Sequence, residues 1–264
     1  MFRIEIHPGI WKFDSGKPGN IVVIMAWMDG KDYNKSETIR DFLEGLEIVS
    51  GKMYYIAAHP IFFKKGRERI KKSMNEAFID IPKNSTHEDM RAHDIIQFLK
   101  ESDILLTIGY EEKESFLCTK NTQFFKFFDT KYTFTGMESL KPERSESYMN
   151  RLGKIGIYLW TGTFIETSIR RNIQNFLIAT GNIDWEYSLY GNQKNYHLYK
   201  TLRAPDLHFS FTKKWKEIGE IRIWQEIAFY DDMIIRSPRT GILAFPRVPK
   251  KIGDTMCFLW ERRI

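Results

Sequence analysis

"VVIMAWMDGKDYN", Val22 to Asn34, decides how this chain is read. It opens on a run of apolar residues without polar alternation, the pattern of a strand buried on both faces, and closes on charged and polar residues around a glycine, the pattern of a turn. In α/β proteins ligands collect beyond the carboxyl ends of such strands. Trp27, Asp29, Lys31 and Asp32 are therefore the first candidates for chemistry.

Outward from this stretch, apolar strands alternate with amphipathic helices. Ile21 to Ala26 reads as a strand, and Asn34 to Leu46 as a helix in which Asn34 and Glu37 have the spacing of a capping box. "KMYYIAAHP" is a second strand, stopped by Pro60. Thr86 to Lys100 is a helix with Ala92, Ile95, Ile96 and Leu99 on one face, followed by the strand "DILLTIGY". "KIGIYLW", Lys154 to Trp160, leads through Thr161-Gly162-Thr163 into a helix striped by Ile165, Ile169, Ile173, Phe176 and Leu177, which Gly181 is placed to end. After about residue 184 the texture changes to short strands with turn signals: "HLYKTLRAP", "LHFSFT", "GEIRIWQEIAF" and "DMIIRSPRTGILAFP". The expected fold class is α/β, a mainly parallel or mixed sheet flanked by helices (residues 1–183), with a C-terminal all-β module (residues 184–264).

The chain has 264 residues, 42% of them hydrophobic, enough for a real core. No apolar run is long enough to span a bilayer, and "MFRIEIHPGI" lacks a signal peptide's apolar stretch, so a cytoplasmic location and no membrane partner are expected. Cys118 and Cys257 are expected to be reduced, buried thiols. The net charge of +6 comes from 40 basic residues interleaved with 34 acidic ones. Nucleic acid is therefore not the expected partner, although "KKGRERIKK", Lys64 to Lys72, is a dense basic cluster.

Five segments in order carry a resemblance: "GKMYYIAAHPIFFKKG", "KSMNEAFID", "HEDMRAHDIIQFLKESDILLTIG", "YLWTGTF" and "IIRSPRTGILAFPRVPKKIGD". Together they resemble the succinylglutamate desuccinylase/aspartoacylase family, related to the zinc carboxypeptidases, over most of the chain. The resemblance implies a zinc carboxypeptidase-like fold and an ancestral zinc-dependent deacylation of N-acyl amino acids. Active members hold zinc through an H-G-N/D-E motif after the first strand and a histidine at the end of a D-x-H strand, with a catalytic glutamate before T-G. Setting Gly30 on the motif glycine puts Asp29 on the first ligand histidine and Asp32 on the ligand glutamate. Thr107-Ile108-Gly109 stands where D-x-H belongs, and Trp160 where the catalytic glutamate belongs. Asn75 matches the D-L-N-R-x-F segment, whereas Glu76 replaces its arginine.

A glycine offers no ligand and a tryptophan no base, so zinc is not expected as a cofactor. Asp29 and Asp32 remain as weak carboxylate ligands that favour hard ions. No histidine is spaced to rescue the site, and His59, His87 and His93 read as structural or solvent-facing. The altered residues suggest a small-molecule pocket lined by Trp27, Trp160, Gly109, Tyr110, Asn75 and Glu76, with Gly109 opening a void. Asp29 among aromatic surfaces is a candidate general base on a flat aromatic substrate, and Lys31, between two carboxylates, a lesser candidate nucleophile. Such a pattern suits a natural pseudoenzyme or a site rebuilt by engineering. The alternatives are a hydrolase with an atypical metal and a non-enzymatic binding protein.

Overall fold

The apolar run Ile21–Ala26 forms strand β3, with Val22 to Ala26 fully buried. In the computed structural model the described residues are 2–26, 33–59, 74, 77–79, 86–110, 114–137, 143–162, 166–186, 189–190, 193–204, 209–216, 218–231 and 233–262. Lys52–Ala57 (β4), Ile104–Gly109 (β5) and Ile155–Trp160 (β8) lie parallel to β3 in the order β4-β3-β5-β8. Each reads as a short unbroken apolar run because helices cover both of its faces. Antiparallel strands extend this sheet on both sides, so it is mixed. Phe2–His7 (β1) and Ile10–Asp14 (β2) form a hairpin joined to β4, and Phe116–Cys118 (β6) pairs with β8.

The covering helices follow from their stripes. Tyr33–Glu44 (α1) and Glu166–Ala179 (α4) bury Ile39, Leu43, Ile169, Ile173, Phe176 and Leu177 against alternate residues of β3, β5 and β8. On the other face His87–Glu101 (α2) buries Ala92, Ile95, Ile96 and Leu99 with Val23, Met25 and Leu105. Thr86 caps α2, its hydroxyl accepting from the Asp89 amide while the Asp89 carboxylate accepts from the Thr86 amide. Helix α1 begins one residue before Asn34, so Asn34 stands in the first turn and not at the cap. Gly181 takes φ +75° just past α4, the left-handed conformation that ends a helix. The sequence reading omitted the β1–β2 hairpin, the helix Ser145–Arg151 (α3) and the 3-10 turn Thr122–Phe127.

The described chain divides into two compact units, Met1–Lys131 with Met137–Gln193, and Tyr132–Gly136 with Lys194–Ile264. The second is all β. Its strands Tyr132–Thr135 (β7), Lys194–Arg203 (β9), Thr255–Arg262 (β15), Gly241–Ala244 (β14) and Ile218–Ile221 (β11) neighbour one another in that order. Ser210–Phe211 (β10), Glu226–Tyr230 (β12) and Met233–Arg236 (β13) make a smaller sheet. The segment "GEIRIWQEIAF" is two strands and not one, broken at Arg222–Gln225, where Trp224 takes φ +63°. "DMIIRSPRTGILAFP" likewise splits, into β13 and β14. Cys118 and Cys257 are buried free thiols, and burial pushes Cys257 up to about 12. Among the described residues no helix is long and apolar enough to cross a membrane. The basic stretch Lys64 to Lys72 lies outside the described residues.

Asn182 ties three loops of the first unit together. Its Nδ2 donates to the Asn20 and Ser50 carbonyls at 2.9 and 3.1 Å, and its Oδ1 accepts from the Thr180 hydroxyl at 2.7 Å. The side chain is fully buried, so truncation removes three buried hydrogen bonds at once. Asn182→Ala is expected to cost about 3 kcal/mol, measured by urea denaturation.

Candidate functional site

The parallel strands end in line. Ala57 stands beside Ala26, Ala26 beside Ile108, and Gly109 beside Trp160. This carboxyl edge is where sequence reasoning placed the site, and it brings Gly109 and Trp160 together. Trp27, Asp29, Lys31, Asp32, Asn75 and Glu76 lie outside the described residues. Tyr110 packs against the cluster of Ile108 and Leu159, so it belongs to the opposite sheet face from Gly109 and Trp160.

Trp160 stands in an aromatic group that sequence reasoning only half identified. Phe116 of β6 is its register partner across the ladder and stacks on it, with centroids 5.4 Å apart and planes at 14°. Tyr158, two residues earlier on the same strand face, lies 5.5 Å from Trp160 at 47°. Trp160 is half-buried, whereas Phe116 and Tyr158 are buried. The alternation of β8 was the signal available for Tyr158, since residues two apart share a face.

Gly109 opens no void. A Cβ built there would collide with the Tyr158 hydroxyl and stand 2.9 Å from its Cζ and 3.2 Å from Trp160 Cε3. The glycine makes room for the phenol of the neighbouring strand. Tyr158 is held from its other side by Arg144, whose guanidinium carbon lies 4.9 Å from the ring centroid. Arg144 in turn faces Glu146, with Nη1 3.5 Å from Oε1, and Ser145 between them shares a hydrogen bond of 2.9 Å with Thr107 of β5. Burial pushes the Glu146 carboxyl up, against the pull of Arg144. Burial also pushes Arg144 down, but attraction to Glu146 leads the charges that outweigh it and keep the guanidinium protonated.

A second polar group sits at the end of β4. Arg91 of α2 donates through Nε to the Ala58 carbonyl at 3.1 Å and through Nη2 to the Ala57 carbonyl at 2.9 Å, fixing the strand end. Burial draws Arg91 down to about 10, with Asp94 opposing. His59 is 1% exposed, 4.0 Å from the fully buried Glu88, and its ring lies 5.9 Å from that of His87. Desolvation holds His59 down at about 4, outweighing the attraction of Glu88. Among the described residues no group of three or more His, Cys, Asp or Glu side chains is placed to hold a metal ion.

In three dimensions the chain is similar to succinylglutamate desuccinylase from Vibrio cholerae, at 14% identity and a TM-score of 0.78, covering 96% of this chain and 85% of that one. The succinylglutamate desuccinylase of Vibrio parahaemolyticus gives 12% identity and a TM-score of 0.75, over 96% and 86%. A product-bound structure of the ectoine utilization protein EutE (DoeB) from Ruegeria pomeroyi gives 14% identity and a TM-score of 0.68, over 96% and 88%. At these identities the likeness is one of fold. No protein-family model and no curated protein matches the sequence.

Two outcomes follow for this edge of the sheet. Gly109→Ala is expected to destabilise the protein by about 1–3 kcal/mol in urea titrations, and adding Tyr158→Phe, which removes the colliding oxygen, to restore part of that loss. For His59, the unfolded chain takes up a proton near pH 6.5 and the folded chain only near 4, so stability is complete above 6.5 and declines as pH falls through this window. The decline amounts to about 3 kcal/mol by pH 4, and the stability of His59→Asn, measured over the same range, should lack that part of it.

Proposed function

We propose that this chain, which has the fold of the succinylglutamate desuccinylase/aspartoacylase structures, does not use it for zinc-dependent amide hydrolysis and instead binds a flat aromatic small molecule at the carboxyl ends of β5 and β8. The observation that carries this reading is the filling of the position beside Trp160. Where the active family presents a ligand histidine, Gly109 has no side chain, and the space for one is taken by the Tyr158 hydroxyl. Where the family presents its catalytic glutamate, Trp160 presents an indole with no basic atom. A zinc site of the family's composition does not fit these residues.

Chemistry then rests on side chains. Asp29 follows the end of β3 by three residues in the chain and is the general base of this reading. A carboxylate beside aromatic surfaces is poorly solvated, which raises its pKa and strengthens it as a proton acceptor. Trp160, backed by Phe116, supplies a face for stacking, with Trp27 as its counterpart and Asn75 and Glu76 as polar contacts. Tyr110 supports the strand end from the other face. Lys31 stands between Asp29 and Asp32 in sequence and is a charged, paired lysine before it is a nucleophile. The site belongs to the α/β part, residues 1–183, of a cytoplasmic protein, and the β module, residues 184–264, carries none of this chemistry.

Quenching of tryptophan fluorescence by a panel of flat aromatic compounds tests the reading. A compound that binds wild type is expected to lose about fivefold to a hundredfold in affinity in Trp160→Ala, given the roughly 1–3 kcal/mol that one stacked ring contributes. Asp29→Asn is expected to keep the binding and abolish any turnover. Retained turnover in Asp29→Asn would remove the general base from the account, and binding without turnover in wild type would make the protein a non-enzymatic binder.

A further inference from the structure

Among the described residues strand β1 is an edge of the first unit's sheet. It pairs there with β2 alone, and Arg3, Ile4, Glu5 and Ile6 are all exposed, Ile4 at 55% and Ile6 at 40%. An exposed strand edge offers unpaired amide and carbonyl groups to another strand, and proteins usually blunt it with proline, like charges or a bulge. Here the irregularity in register falls at Ile6, between Glu5 and His7, and Pro8 comes only after it, so Arg3 to Glu5 is left regular.

The side chains of this edge are complementary to themselves. Arg3 and Glu5 share one face of the strand, opposite Phe13 and Trp11 of β2, while Ile4 lies on the other face opposite Lys12. Arg3 makes no ion pair within the described residues. Glu5 is held by the Gly9 amide, which donates to Oε1 at 2.9 Å and leaves Oε2 for a second partner. Opposite charges placed two residues apart around a central apolar residue read the same in an antiparallel copy. A two-fold axis through Ile4 sets each Arg3 across from the partner's Glu5 and the two Ile4 side chains against each other.

We propose that β1 is a homodimer interface, in which a second copy of this chain pairs antiparallel with Arg3 to Glu5 about a two-fold axis at Ile4. A strand of unrelated sequence gains the backbone bonds but not the paired charges, so the pattern selects a second copy. The interface continues the sheet of the first unit from one protomer into the other.

Sedimentation velocity on protein with an untagged N-terminus tests this, with circular dichroism as the check on folding. Wild type is expected to dimerise with concentration. Arg3→Glu and Glu5→Arg each replace the two attractive pairs by two repulsive ones and should raise the dimer dissociation constant at least about tenfold, and the double variant should restore it. Ile4→Cys should form a disulfide-linked dimer under mild oxidation and Ile6→Cys should not, because only residue 4 meets itself at the axis. The native thiols Cys118 and Cys257 are buried and do not compete. A wild type that stays monomeric overturns the proposal, as does a dimer that both reversals leave unchanged and Ile4→Cys fails to link.

Discussion

The parallel register of β4, β3, β5 and β8 is the constraint on which the rest depends. Four apolar strands buried on both faces can exist only with helices above and below, and α1, α2 and α4 supply that cover with their apolar stripes. Once the strands are in register their ends are in register too, and Gly109 must lie beside Trp160. A one-residue slip would turn Gly109 and Thr107 to the face of α1 and α4 and drive Ile108 into the polar group around Ser145. The placement of Gly109 beside Trp160 therefore follows from the same register as the core beneath it.

What that register produces is a crowded strand end. Tyr158 occupies the space over Gly109, Arg144 lies on Tyr158, and Glu146 balances Arg144. A buried ion pair of this kind adds little net stability, since desolvation of both charges offsets their attraction, but removing either partner is costly. It fixes the ring of Tyr158 and hence the demand for glycine at 109. At the end of β4, Arg91 fixes the carbonyls of Ala57 and Ala58, and burial keeps the adjacent His59 neutral.

The parts legible in the sequence are those that a single segment determines. The strand at Ile21 and the stripe Ala92, Ile95, Ile96 and Leu99 follow from periodicity alone, and Gly109 and Trp160 were placed at strand ends by the same runs. The β1–β2 hairpin was missed although "FRIEIH" and "IWKFD" flank a Pro8-Gly9 turn, because its charged residues disguise a strand pair. Three features needed the fold. The collision between position 109 and Tyr158 depends on the pairing of strands about 50 residues apart, so a missing side chain reads as a void. The stretch "PERSESYMN" is polar enough to pass for a surface turn, yet Ser145 to Met149 are buried because Arg144 and Glu146 satisfy each other there. The break at Trp224 is equally hidden, because its left-handed backbone is one that a tryptophan rarely takes.

The most direct test of the central claim, a deacylase fold whose zinc positions have been given over to aromatic packing, is metal content after purification without chelator, joined to a calorimetric zinc titration. The account predicts substoichiometric zinc and no tight binding isotherm. One equivalent of tightly bound zinc would contradict it, showing that other residues assemble the metal site and that hydrolysis of N-acyl amino acids is the activity to assay.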